Sequence, residues 1–206
     1  MERNPASIWD KWNSSGGPKY PHAKIIQYVF RNFPAQQRPD TKVLDLGCGG
    51  GVHLWFLGRE GFQTYGMDIS KQGVAHARNW LERESIPYQD LRYGNIYEMD
   101  YPSNYFDLII CCGVLECVDM EEANRIVEAA YQLLKVGGQA VFIFMSEGDF
   151  RAQSVATELS LHPYNKKEVE ALFAKAAWSS CHIDYYVTTF QNETTMSKDF
   201  LITLKK

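Results

Sequence analysis

The stretch Val43 to His53, VLDLGCGGGVH, decides the fold: an apolar β-rich run ends in a cluster of glycines and passes into an amphipathic segment, His53 to Glu60. A tight strand-to-helix turn needs backbone angles that residues with side chains resist, and bare glycines let a ligand reach the backbone N–H groups. The segment therefore reads as a nucleotide-binding turn at the head of an α/β domain.

Working outward, short β-rich runs alternate with longer segments of helical period, the pattern of a mostly parallel sheet with helices on both faces. Strands are expected at Lys42 to Leu46, Gln63 to Asp68, Asp90 to Tyr93, Phe106 to Cys112 and Gln139 to Met145. Two more, Ser180 to Phe190 and Asp199 to Leu204, form the one plausible hairpin. Helix starts are marked by Ser70, by Asp119 with Glu122, and by Asn165 with Glu168, the last two in capping-box spacing; Gly137 and Gly138 are expected to close the second helix. Pro21 to Phe33 reads as a further helix with Ile25, Ile26, Val29 and Phe30 on one face, a cover for the sheet edge. The polar stretch Ser146 to Pro163 reads as a lid or substrate loop. The whole chain, 1–206, is expected to be a single domain, with a helical cover over 1–35 and the α/β core over 36–206.

Two details characterise the ligand of the turn. The dinucleotide fingerprint G-x-G-x-x-G would want Gly or Ala five residues after Gly47, where Val52 stands, and no Lys-Ser or Lys-Thr follows the glycines as a phosphate-binding P-loop would require. Asp45 lies just before the loop; its carboxylate would repel a pyrophosphate and suits a ligand carrying sulfonium and ammonium groups. Asp68 follows Gly47 by 21 positions, near the offset of roughly 20 at which an acid meets ribose hydroxyls in such folds.

VLDLGCGGG, YGMDIS, YFDLIICCGVLECV and LLKVGGQAVF together resemble the successive motifs of the class I S-adenosylmethionine-dependent methyltransferases, from about Thr41 to the end of the chain. The resemblance implies a Rossmann-like three-layer αβα sandwich whose seven-stranded, mostly parallel sheet has the order 3-2-1-4-5-7-6 with strand 7 antiparallel. It implies S-adenosylmethionine as cofactor, S-adenosylhomocysteine as product and no metal. Asp45, Gly47, Cys48, Gly49 and Gly51, with His53, would line the methionine end; Asp68 would hold the ribose with Ile69 against the adenine. Asn95, Ile96 and Tyr97 would flank the adenine, and Cys112 and Gly113 would face the methionine moiety. The family often has Asp at the position of Asn95. In similar small-molecule enzymes the N-terminal segment folds over the cofactor, which assigns Trp12 and Tyr20, with Trp9, to that role or to ordinary packing.

Methyl transfer from a sulfonium is an in-line displacement, accelerated largely by holding acceptor and methyl in attack geometry away from water. An oxygen or protonated amine acceptor must also lose a proton, and the candidate bases are His22, His162 and Glu116. Each has a bland alternative: a helix-start polar group, a surface loop residue and a solvated acid. Asp149, Phe150, Arg151 and Glu158 either touch substrate or belong to a solvated loop.

A formal charge of −4 supplies no positive field, so nucleic acid is disfavoured as a partner. The fourth strand ends in CCGV, with neither [DNS]-P-P-[YFW] nor Pro-Cys, so the signatures of adenine-amino and cytosine-C5 methylation are missing. A small-molecule acceptor is preferred; a methyltransferase of protein or RNA, or a non-catalytic S-adenosylmethionine-binding protein, stays as the alternative. Five cysteines without a CxxC pair argue against a disulfide scaffold or structural zinc. No apolar run approaches membrane-spanning length and the start reads as no secretory signal, so the expected setting is the cytoplasm, as monomer or homodimer.

Overall fold

The structure, a computed structural model, describes residues 5–14, 17–154, 161–190 and 195–206. One sheet of seven strands organises them: β1 Lys42–Leu46, β2 Gln63–Asp68, β3 Asp90–Tyr93, β4 Phe106–Cys112, β5 Leu134–Met145, β6 Ser180–Phe190 and β7 Thr195–Lys205, in the order β3-β2-β1-β4-β5-β7-β6. β1 pairs in parallel with β2 and β4, β2 with β3 and β4 with β5, whereas β7 runs antiparallel between β5 and β6. The order reverses between β1 and β4, so the carboxyl ends of these two strands open a crevice at the switch point. The seven helices described are α1 Pro5–Asn13, α2 Ala23–Asn32, α3 Val52–Arg59, α4 Lys71–Arg83, α5 Met120–Leu133, α6 Arg151–Ser154 and α7 Lys166–Phe173.

Strand alternation assigns the faces. Leu44, Leu46, Ile109, Cys111, Ala140, Phe142 and Phe144 meet the apolar stripes of α5 (Ala123, Ile126, Val127, Ala130) and α7 (Val169, Leu172, Phe173). Val43, Leu108, Ile110, Val141 and Ile143 point the other way, against Ile25 and Val29 of α2 and Phe56 and Leu57 of α3. α4 packs beside α3 through Val74, Ala77 and Leu81. α2 thus covers the centre of a sheet face, not the sheet edge expected for it, because Ile25 and Val29 are fully buried against three central strands.

The helix starts follow from their caps. Ser70 Oγ accepts from Gly73 N–H at 2.9 Å, Asp119 Oδ1 from Glu122 N–H at 2.8 Å, and Asn165 with Glu168 forms a reciprocal capping box. The glycine pair does something other than close a helix. α5 ends at Leu133, and Gly137, with φ +81°, lies within β5, where the register shifts so that Phe106 faces Leu134 but Leu108 faces Gln139. Gly137 and Gly138 thereby form an irregular stretch of the fifth strand, which starts earlier than expected. No helix among the described residues is long and apolar enough to cross a membrane.

Candidate active site

The crevice between β1 and β4 is a cavity of about 480 Å³. It runs from the glycine turn, past Asp68 at the end of β2 and Asn95, Ile96 and Tyr97 after β3, to Cys112, Gly113 and Glu116 after β4. Trp9, Trp12 and Asn13 of α1, then Pro18, Tyr20 and His22, wall it from the N-terminal side.

The turn is held by its own backbone. Gly47 and Cys48 donate N–H bonds to Met67 O at 2.8 and 3.0 Å, tying the end of β1 to β2. Gly47 has φ +74°, and a Cβ there would lie 2.3 Å from Val114 Cγ2, so the turn and the end of β4 approach closely only because this residue is glycine. Asp68 Oδ2 accepts from Gly49 N–H and Oδ1 from Ser70 N–H, both at 2.7 Å. Burial raises the pKa of Asp68 while these two backbone donors pull it down. Each carboxylate oxygen has a second lone pair, so both can still accept from a ligand. α1 is docked on this corner: Asp10 Oδ1 accepts from Ser70 Oγ at 2.8 Å and Gln72 N–H at 3.0 Å, and buried Asn13 packs against Gly49 and Gly73.

Of the residues expected at the cofactor, Gly47, Cys48, Gly49, His53, Asp68, Ile69, Asn95, Ile96, Tyr97, Cys112, Gly113, Trp12 and Tyr20 all line the cavity. Asp45 and Gly51 do not. The Asp45 carboxylate is 1% exposed and faces His53, with Oδ2 3.6 Å from Nδ1. His53 Nε2 in turn accepts the backbone N–H of His22 at 3.2 Å, so the ring carries its proton on Nδ1, toward Asp45. Gly51 caps α3 with φ +88°, and a Cβ there would lie 2.6 Å from Ala77 Cβ: its place is helix packing.

The three candidate bases separate. His162 lies outside the cavity lining, since its ring stacks edge-on against Tyr164 and its Nε2 lies 3.3 Å from Glu168 Oε1. His22 does line the cavity, but both its nitrogens are engaged. Nδ1 accepts from Lys24 N–H at 3.2 Å in capping α2, and Nε2 bonds the Tyr186 hydroxyl. With Nδ1 an acceptor, the neutral ring carries its proton on Nε2 and donates it to Tyr186. Burial lowers the pKa of His22 and keeps this neutral form. Glu116 is different: it lines the cavity, is 6% exposed, and has no hydrogen-bond partner for Oε2 among the described residues. Burial pushes its pKa up to about 7, helped by the charge of Asp199 and opposed by Arg151.

Several lining residues carried no signal, or one not used, in the sequence. Val114, Val118, Met145 and Leu161 add an apolar wall. Glu122 lines the cavity and accepts from Tyr97 Oη at 3.1 Å. Arg151, expected from the sequence either to touch substrate or to lie in a solvated loop, lines the cavity and is clamped, donating to Asp149 at 2.7 and 2.9 Å and to Asp199 Oδ1 at 2.6 Å. Asp199 pairs with Met145 and lies two residues before Leu201 on β7, so it shares the α2 face of the sheet; an acid at a core-facing strand position is a signal available in the sequence. Asp149 is buried at the Arg151 clamp, Phe150 packs edge-on to Phe190, and Glu158 lies outside the described residues. Burial holds the Cys112 and Cys117 thiols well above their ordinary pKa, so neither is an activated nucleophile. No group of three or more His, Cys, Asp and Glu among the described residues is arranged to hold a metal ion.

Comparison with known proteins adds to this geometry. Residues 44–142 match the family profile of a methyltransferase domain. A ubiquinone biosynthesis O-methyltransferase of Proteus mirabilis is 34% identical over 144 residues, covering 66% of this chain and 55% of that protein. Among solved structures, an S-adenosylmethionine-dependent methyltransferase of Methanosarcina mazei superposes with TM-score 0.70 at 19% identity over 91% of this chain and 98% of that one. A second, from Archaeoglobus fulgidus, gives 0.69 at 14% identity over 97% and 98%. These two structures share the fold. The chain spans between 40% and 64% of the length of curated relatives it matches.

Proposed function

Because the chain belongs to the class I S-adenosylmethionine-dependent methyltransferases, we propose that it methylates an oxygen or nitrogen of a small-molecule acceptor by direct in-line transfer, with Glu116 taking the acceptor's proton. The observation that carries this reading is one cavity lined by Asp68 beside the glycine turn and by Glu116, whose buried Oε2 has no partner among the described residues.

The residues present fit the cofactor. The acids on or near the cavity, Asp68, Glu122 and Asp45, suit a cationic ligand, and the two engaged oxygens of Asp68 keep acceptor capacity for ribose hydroxyls. Gly113, with φ +74° and nothing within 4 Å of where a Cβ would be, leaves room after β4 for the methionine portion. Ile69, Asn95, Ile96 and Tyr97 would enclose the adenine, and Trp12 and Tyr20 would cover the site from the N-terminal side. When bound, S-adenosylmethionine supplies an electrophilic methyl group on a good leaving group.

The chain's own contribution is position, dryness and a proton acceptor. Val118, Met145 and Leu161 exclude water from the acceptor end. Glu116 has a pKa of about 7, near the pH at which a general base combines availability with driving force. His22 donates to Tyr186 and holds the wall beside the base; it has no free nitrogen with which to take a proton itself.

Calorimetric titration with S-adenosylmethionine, S-adenosylhomocysteine and NAD tests the cofactor assignment. Binding of the two adenosyl ligands and not NAD is expected; absence of both would remove the reading. S-adenosylhomocysteine release on addition of metabolite fractions distinguishes an enzyme from a binding protein.

A further inference from the structure

We propose that the acceptor end of the cavity selects by charge: it takes a neutral or cationic, largely apolar molecule that presents an O–H or N–H to Glu116, and it rejects anionic acceptors. This inference rests on the methyl-transfer reading for the meaning of the site, but the charge selection follows from the side chains that line the cavity.

Glu116 is more than nine-tenths buried, lines the cavity and leaves Oε2 without a partner among the described residues. A buried carboxylate oxygen in that state is stabilised by a donor brought in by a ligand and destabilised by a second negative charge. Val118, Met145 and Leu161 surround the same end, so the body of the ligand meets apolar surface.

Among the described residues, no countercharge lining the cavity is free to accept an anion. Arg151 is the one Arg or Lys side chain among the described residues lining the cavity, and it donates to two carboxylates, Asp149 and Asp199. Two acids against one guanidinium leave that cluster net negative. His22 is neutral and has both ring nitrogens engaged. An anionic acceptor would therefore enter a low-dielectric pocket with the Glu116 carboxylate in front of it and a balanced arginine beside it. A hydroxyl or ammonium group meets the opposite situation.

The test uses three phenols that share a ring and a hydroxyl and differ in charge: p-cresol (neutral), tyramine (cationic) and p-hydroxybenzoate (anionic). Their binding to the full chain is measured by ligand-observed NMR at about pH 8, where a carboxylate titrating near neutrality is ionised. The expected result is that p-cresol and tyramine bind at least about tenfold more tightly than p-hydroxybenzoate, with Glu116→Gln shrinking that ratio toward one. Circular dichroism confirms that the variant is folded, and the wild-type ranking stands as a test without it. Binding of p-hydroxybenzoate as tight as p-cresol, or binding of none of the three, overturns the inference. A parallel titration with S-adenosylhomocysteine separates the two ideas: cofactor binding without charge selection sinks this inference alone, and charge selection without cofactor binding supports it while sinking the methyl-transfer reading.

Discussion

Replacing Glu116 by Gln should stabilise the ligand-free protein at alkaline pH. The side chain is 6% exposed and its pKa is pushed up to about 7 from an ordinary 4.5, chiefly by burial. A carboxyl whose folded pKa lies above its unfolded value favours folding when protonated. That contribution is fully present below about pH 4.5 and is lost as the pH rises through about 7. At about 1.4 kcal/mol for each tenfold displacement of the equilibrium, the loss amounts to up to about 3 kcal/mol by pH 8. Gln is close in shape and cannot ionise, so the variant escapes the loss. Urea unfolding of both proteins at about pH 5 and about pH 8 should give similar stabilities at the lower pH and a more stable variant, by about 2 to 3 kcal/mol, at the higher one. Comparing the two proteins cancels the contributions of Asp68, also raised by burial, and of Asp149, which burial raises but Arg151 and backbone donors bring net below its ordinary value. Parallel pH dependences, or a variant less stable at about pH 8, would refute the claim that Glu116 is ionised at a desolvation cost.

The methyl-transfer rate of the wild type should rise roughly tenfold between about pH 6 and about pH 8 as Glu116 ionises, and the rise should vanish in Glu116→Gln; a flat wild-type profile removes Glu116 as base. His162→Ala should leave that profile unchanged, because the ring lies outside the cavity lining, and a shifted acid limb would contradict the placement. Asp68→Ala should weaken S-adenosylhomocysteine binding at least about tenfold by calorimetry, since it removes the carboxylate proposed to accept from the ribose and the acceptor that orders the Gly49 and Ser70 N–H groups; unchanged affinity removes Asp68 from the site. Gly51→Ala should cost about 2 kcal/mol or more in denaturant unfolding, because the new Cβ would lie 2.6 Å from Ala77 Cβ at φ +88°, and a neutral outcome would mean that α3 and α4 separate freely.

Most of the architecture was legible because it is written in local patterns. β1, β2, β3, β4 and β6 run over the expected residues, since each is an apolar or alternating run bounded by turn residues. The caps at Ser70, Asp119 and Asn165 were legible for the same reason: a side chain and the N–H three residues on are enough to define them. The errors came where a local signal was reused by tertiary pairing. Gly137 and Gly138 look like a helix stop, yet they form the irregular start of β5 because Lys206 pairs with them from the end of the chain, accepting from Gly137 N–H and donating to Gly138 O. The cover helix was legible, and its seat on the sheet was not, because Ile25 and Val29 define an apolar stripe without saying which strands meet it.

The sequence by itself marked most of the lining at the proposed cofactor end. There the turn, Asp68 and the segment after β3 lie within about two strand–helix units and all line the cavity, whereas Asp45, marked by the same spacing, is turned to His53 outside the lining. Only the tertiary structure decided the acceptor end. His22, His162 and Glu116 were equivalent as residue types 22, 162 and 116 positions along the chain. Packing gave them different states: a cap and a tyrosine engage both nitrogens of His22, Glu168 and Tyr164 hold His162 aside, and burial leaves Glu116 with an oxygen that has no partner among the described residues. Protonation and access depend on desolvation and on neighbours far apart in sequence, such as Asp199 and Arg151, and those quantities exist only once the chain is folded.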